Sequence, residues 1–249
     1  MPANDPLWTA PSTDSPVKAT DELKQAYFRH VGPDDQRVLG EEGRAAMVQS
    51  HLELAVEAAG KPKIAVRRAA RHAIVQVVHP DIRYLVDSVT AELNKLDIPI
   101  SVIVHPIVVA QHANDDARLT NIFELPAHRP RLSGDPATPL ARIPASPEGY
   151  HAELQSWISI QTAIPLEADQ ADELQEAVYA ALADVRAAND DYGELKDAAT
   201  RAANALRQES PDTAQGADQA ARLLEWMRDD KFVFLGYREY VLATNEQGK

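Results

Sequence analysis

The chain contains no cysteine. That excludes a disulfide framework, a thiolate nucleophile and any cysteine-rich metal site, and a reducing compartment is the natural setting. Glycine is scarce, ten in 249 residues, and the ten do not cluster. No Gly-x-Gly-x-x-Gly turn or phosphate-cradling loop is present to hold a nucleotide. A basic footprint is also missing, because 25 Lys/Arg stand against 38 Asp/Glu for a net charge of −13. A nucleic-acid partner is therefore not expected. No apolar run approaches the roughly 20 residues that span a bilayer, so no membrane partner is expected either. The start, Met1 to Asp14, lacks the basic and apolar stretches of a secretory leader, which points to the cytoplasm.

What is present fits a globular chain with 45% apolar and 25% charged residues. The acid is concentrated in one place. Residues 165–230 carry 16 Asp/Glu against 6 Lys/Arg, a net of −10, and their pattern is that of solvated helix faces.

Periodicity orders the rest. Residues 1–16 read as a disordered tail and 17–62 as a helical segment, in which Gly40 and Gly43 weaken the middle of a helix over 34–59. From residue 72 the pattern changes. A short β-branched run at 72–79 predicts a strand. Ile82, Leu85, Val86, Val89, Leu93 and Leu96 then mark one buried face of a helix over 81–96, with Asp81 placed to cap it. Residues 98–111 are apolar on both faces, as in a central strand, and Pro106 requires an end or bulge there. A hairpin strand at 119–125, a Pro-rich insertion at 126–150 and a strand at 154–164 follow. Helices over 170–188, 192–208 and 217–229 precede a last, aromatic strand at 232–242. The sum is an α+β fold of ferredoxin-like βαββαβ order. It has an N-terminal helical segment and extra helices, a helical insertion at 190–229, before the last strand. The domain would run over 70–242, and 243–249 would begin a further segment. The second face of the sheet needs a cover, from the N-terminal helices, a second copy or a following domain.

The motifs at the strand ends bring a family into view. His79-Pro80-Asp81 with Tyr84-Leu85-Val86-Asp87-Ser88-Val89, then His105-Pro106-Ile107, Ser156-Trp157-Ile158, and the Phe234-Leu235-Gly236-Tyr237-Arg238-Glu239-Tyr240 segment occur in this order. In that order they resemble the N-terminal, ACT-like region of the large bacterial NAD-specific glutamate dehydrogenases. The likeness covers roughly residues 70–242 in patches, with Gln155 where the family usually has Glu and Pro80 where a second Asp is common. It implies a regulatory and oligomerising piece of an oxidoreductase, without catalytic residues or cofactor of its own. NAD would serve the parent enzyme. The implied partners are the remainder of the same polypeptide and the other subunits of a homo-oligomer, a tetramer in the parent family. An amino-acid effector is a further implied partner. A free-standing ACT-like sensor and a purely structural module are the alternatives, and an amino-acid panel in a melting assay separates them.

Residue chemistry nominates two sites. At the strand-to-helix junction, helix N–H groups and Arg83 suit a carboxylate, Asp87 an ammonium, and His79, Asp81 and Ser88 complete a polar group. The plainer reading makes Asp81 a helix cap, Arg83 and Asp87 an i,i+4 pair, and His79 a strand end. Phe234, Tyr237, Arg238 and Tyr240 form a candidate interface on the last strand. His72, His79, His105 and His112 lack the close spacing of metal ligands, so no metal is expected. Ser88 and Ser156 lack the setting of a hydrolase nucleophile.

Overall fold

The computed structural model describes residues 19–58, 61–124, 146–208, 214–232 and 234–240. The expected tail at 1–16, most of the Pro-rich insertion and the segment 243–249 lie outside these residues. The described residues fall into two compact units, a sheet unit up to Val185 and a helical unit from Arg186.

In the sheet unit, helices α1 (Asp21–Tyr27) and α2 (Pro33–Ala58) come first. Thr20 caps α1 by accepting from the Leu23 N–H at 3.1 Å. Gly40, at φ +67°, breaks α2 into two pieces, while Gly43 stays helical. Strands β1 (Lys63–Arg68) and β2 (Ala73–Pro80), helix α3 (Leu85–Lys95), and strands β3 (Ile100–Val104), β4 (Ile107–Ala113), β5 (Leu119–Glu124) and β6 (Tyr150–Thr162) follow. Helix α4 (Ala168–Asp190) begins in this unit.

The sheet is antiparallel throughout, in the order β1-β2-β6-β4-β5, with β3 also on β6. β3 and β4 lie end to end along one side of β6, and His105-Pro106 separates them as Pro106 requires. The fold is thus the ACT-like, ferredoxin-type arrangement, with β2, α3 and β3/β4 forming a split unit around β6. Two features of it were not anticipated. β1 occupies the place beside β2 that the last strand of a βαββαβ fold would take. The expected strand at 232–242 is absent among the described residues, since 234–240 carry no regular secondary structure.

Two apolar cores flank the sheet. On one face Val75, Val77, Ile158 and Ile160 meet Leu85, Val89 and Leu93 of α3 and Leu174, Val178 and Leu182 of α4. On the other, Val78, Val104, Val108 and Trp157 meet Tyr27 and Phe28 beside Met47, Leu52 and Leu54 of α2. The N-terminal helices are therefore the cover the second face needed. Alternation along β2 and β6 sends successive side chains to the two cores. Among the described residues no helix is long and apolar enough to cross a membrane.

The helical unit holds α5 (Tyr192–Gln208), α6 (Ala214–Trp226) and a π-helical turn over Met227–Lys231. Arg207 ties the two helices by a two-point bond to Glu225, at 2.6 and 2.8 Å.

Candidate functional site

The strand-to-helix junction is built by register. β6 sets Ser156 opposite His79 and Gln155 opposite Pro80, while β4 sets Ile107 opposite Ser156 on the other side. The Asp81 N–H donates to the Leu154 carbonyl at 2.8 Å, which holds Asp81 against the sheet. Its carboxylate accepts from the Ser156 hydroxyl at 2.6 Å. His105 Nε2 lies 3.0 Å from the same Ser156 oxygen. A serine has one proton to give. With that proton directed at the Asp81 carboxylate, the serine oxygen accepts from His105, which carries its proton on Nε2. His79 is buried, and its Nδ1 donates to the Pro80 carbonyl at 2.7 Å.

This geometry corrects one expectation. Asp81 does not cap α3. The helix begins at Leu85 behind Tyr84, which is left-handed at φ 68° and provides no side-chain cap. Asp81 stays with the sheet because both its N–H and its carboxylate are engaged there. The turn from Asp81 to Tyr84 then bridges sheet and helix, and the bulky Tyr84 in that conformation carries backbone strain of about 1–2 kcal/mol. Arg83 is half-buried, Asp87 is exposed and Ser88 is half-buried with its N–H bonded to the Tyr84 carbonyl. Arg83 and Asp87 form no ion pair with each other among those present.

The structure thus joins His79 and Asp81 to two residues that sequence reasoning did not nominate, His105 and Ser156. A signal for them exists: the His-Pro pair occurs at 79–80 and again at 105–106, each time at a strand end. The chemistry is not that of a hydrolase. A catalytic triad needs the imidazole in the middle and an accessible hydroxyl. Here the serine is in the middle and fully buried. His112 lies on the opposite face, where its Nδ1 bonds the Ala117 carbonyl at 3.0 Å and its ring stacks on His151. Burial holds His112 below the usual imidazole range.

A second polar group, not nominated from the sequence, is buried under α1 and α2. His51 is fully buried and donates from Nε2 to the Val77 carbonyl at 3.0 Å. Its Nδ1 accepts from the Tyr27 hydroxyl at 2.6 Å. The Tyr27 oxygen is 2.7 Å from Ser159, and Gln76 donates to Ser159 at 3.1 Å and to the Met47 carbonyl at 3.0 Å. One consistent chain of protons runs from Gln76 through Ser159 and Tyr27 to His51. Trp157 stacks on His51 with ring centres 4.8 Å apart. Burial pushes the His51 pKa down to about 3 and the Tyr27 hydroxyl up, so both are neutral at physiological pH.

The layered sheet, with a polar turn between its first core strand and first core helix, defines an ACT-like module. A family model described as "Glutamate dehydrogenase, ACT1 domain" matches residues 23–178, and the chain belongs to that family. It is 29% identical over 179 residues to the NAD-specific glutamate dehydrogenase of Halomonas elongata, covering 70% of this chain and 10% of that protein. It is 26% identical over 179 residues to the NAD-specific glutamate dehydrogenase of Pseudomonas aeruginosa, covering 71% of this chain and 10% of that protein. The matched region is about a tenth of the length of these relatives.

Proposed function

We propose that this chain is the N-terminal regulatory and oligomerisation segment of an NAD-dependent glutamate dehydrogenase acting in the cytoplasm. The family match over residues 23–178 carries this reading. The parent enzyme converts L-glutamate, NAD and water to 2-oxoglutarate, ammonium and NADH. The segment performs no chemistry and holds no cofactor, in keeping with a central serine that is buried and bonded to Asp81. Its junction site receives an amino-acid effector. The N–H groups at the start of α3 and Arg83 take the carboxylate, Asp87 takes the ammonium, and His79, Asp81 and Ser88 line the turn with His105 and Ser156 behind them. Phe234, Tyr237, Arg238 and Tyr240 contact a neighbouring subunit of a homotetramer.

Two experiments test this. The purified chain, given glutamate and NAD, should produce no NADH, and measurable turnover would overturn the non-catalytic assignment. A panel of the twenty amino acids should contain at least one that raises the melting temperature, and Asp87→Ala should abolish that rise. A melting temperature that no amino acid moves would leave a structural module without an effector.

A further inference from the structure

We propose that His112, Gln155 and Trp157 form a proton-sensitive latch at the end of the sheet. It is closed while His112 is neutral, and a second proton on that ring opens it and loosens Trp157 beneath the N-terminal helices. The latch lies away from the effector site and does not depend on it.

A chain of bonds fixes where each proton lies. His151, Glu153, Gln155 and Trp157 alternate along β6 and so share one face of the sheet. His112 joins them from β4, opposite His151. Its Nδ1 lies 3.0 Å from the Ala117 carbonyl. A carbonyl only accepts, so the neutral ring carries its proton on Nδ1 and leaves Nε2 bare. Gln155 Nε2 donates to that bare nitrogen at 3.2 Å and to the Glu153 carboxylate at 2.7 Å. Both amide hydrogens are thereby used. Gln155 Oε1 accepts from the Trp157 indole N–H at 3.0 Å. His112, Gln155 and Trp157 are all buried, so water does not replace a lost partner in the closed form.

A second proton on His112 has no place in this chain. It sets an imidazolium N–H against the amide N–H of Gln155, donor against donor. Turning the amide over brings its oxygen to His112 but its NH2 group to the Trp157 N–H, and the same conflict moves two residues along β6. The new N–H can instead turn to the Glu153 carboxylate, 3.7 Å from Nε2. Gln155 then loses both acceptors of its amide hydrogens, and its hold on the Trp157 N–H goes with them. Trp157 stacks on His51 with ring centres 4.8 Å apart, and His51 bonds Tyr27 of α1 at 2.6 Å. A change at His112 therefore reaches the layer that α1 and α2 form over the sheet.

Neighbouring groups set the balance. Burial opposes the charged ring most strongly, Glu153 favours it, and His151, stacked with ring centres 5.4 Å apart, opposes it when charged. In the adjoining turn Asp115 is exposed, and Asp116 and Arg118 pair with each other. On α1, which lies over β5, Asp21 and Lys24 pair likewise. His151 is exposed and Glu153 is partly so, which gives the proton its path. The closed form refuses a proton that a released His112 accepts. Closure is therefore complete above about pH 6.5, the ordinary imidazole value, and weakens as pH falls.

Indole and imidazole NMR signals of the 249-residue chain, followed from about pH 8 to about pH 5, test this. The chain has three tryptophans, and a variant carrying Trp8→Phe and Trp226→Phe leaves the Trp157 signal alone. That indole signal should shift with the same midpoint as the His112 ring, and His112→Gln should abolish the shift. Gln155→Met, close in length and without the amide, should leave His112 titrating while Trp157 no longer follows. Circular dichroism confirms folding at each pH, and the coincidence of the two midpoints in the wild-type ring and indole decides the matter if a variant does not fold. Four results would each overturn the latch: an indole signal that stays fixed while His112 titrates, a shift that survives in His112→Gln, a Trp157 that still follows His112 in Gln155→Met, or a His112 that takes no proton before the chain unfolds.

Discussion

The two faces of the sheet treat polar side chains differently. Under α1 and α2, His51, Tyr27, Gln76 and Ser159 are fully enclosed, and each finds a partner. At the α3 junction, Ser156 is enclosed while Asp81 and His105 remain partly open to solvent. A closed, satisfied network fixes how two layers dock, because any other docking would strand polar groups without water. An open one, ending in a partly solvated carboxylate, keeps polar groups in reach of solvent. The contrast is between a sealed polar group and an open one, and strand β6 serves both, with Trp157 and Ser159 pointing one way and Ser156 the other.

The comparison can be broken most directly at Trp157. It is fully buried, stacks on His51 and donates to Gln155 at 3.0 Å. Trp157→Ala should cost about 3–5 kcal/mol in urea unfolding, and a loss below about 1 kcal/mol would show that the cover face is not tightly packed.

Acid should separate the faces next. His51 has its folded pKa lowered to about 3, against about 6.5 in the unfolded chain. The folded protein refuses a proton that the unfolded chain accepts, so this stability is complete above about pH 6.5 and declines as pH falls toward 3. The loss attributable to His51 is about 2 kcal/mol by pH 5. His112 is shifted in the same direction and adds to it. The slope of unfolding free energy between pH 7 and 5 should flatten in His51→Gln, and an unchanged slope would place the proton uptake elsewhere.

Ser156→Ala probes the open face. It removes one buried bond to Asp81 and one to His105, at a cost of about 1–2 kcal/mol, and it should weaken any amino-acid-induced rise in melting temperature. An unaltered rise would detach Ser156 from the effector site. The smallest effect belongs to Asp87→Ala. At an exposed position with no ion pair to Arg83, it should change stability by less than about 0.5 kcal/mol. A larger loss would mean that Asp87 is structural, contrary to its assigned role.

Much of the fold could be read along the chain where the determining contacts are local. The apolar stripe of α3, the break at Pro106 and the helix-breaking role of Gly40 follow from neighbouring residues. β1 escaped because Lys63–Arg68 is short and ends in two arginines, and the turn over Ala69–Arg71 carries none of the usual glycine, proline or asparagine. Its partner strand, not its own pattern, makes it a strand. The segment at 232–240 failed in the opposite sense, since its pattern is that of a strand and no edge within the described residues receives it. The polar network was invisible for a plainer reason. Tyr27 meets His51 across 24 residues and Ser159 across 132, and no spacing rule reaches that far. Half of the junction site was legible, because His79 and Asp81 adjoin the helix they precede. Ser156 and His105 were not, because only the pairing of β6 with β2 and β4 brings them there.

β6 has a consequence for how the molecule is made. It is the last strand among the described residues and the middle one in the sheet, pairing with β2, β3 and β4. A nascent chain that has emerged only to residue 124 can form the β1-β2 and β4-β5 hairpins but leaves a strand-wide gap between them. At synthesis rates of about 5–20 residues per second, the gap persists for a few seconds until β6 arrives. During that interval the edges of β2 and β4 that β6 will fill stay unpaired, although α1, α2 and α3 have already emerged. The ribosome-bound intermediate therefore exposes strand edges that the finished sheet hides.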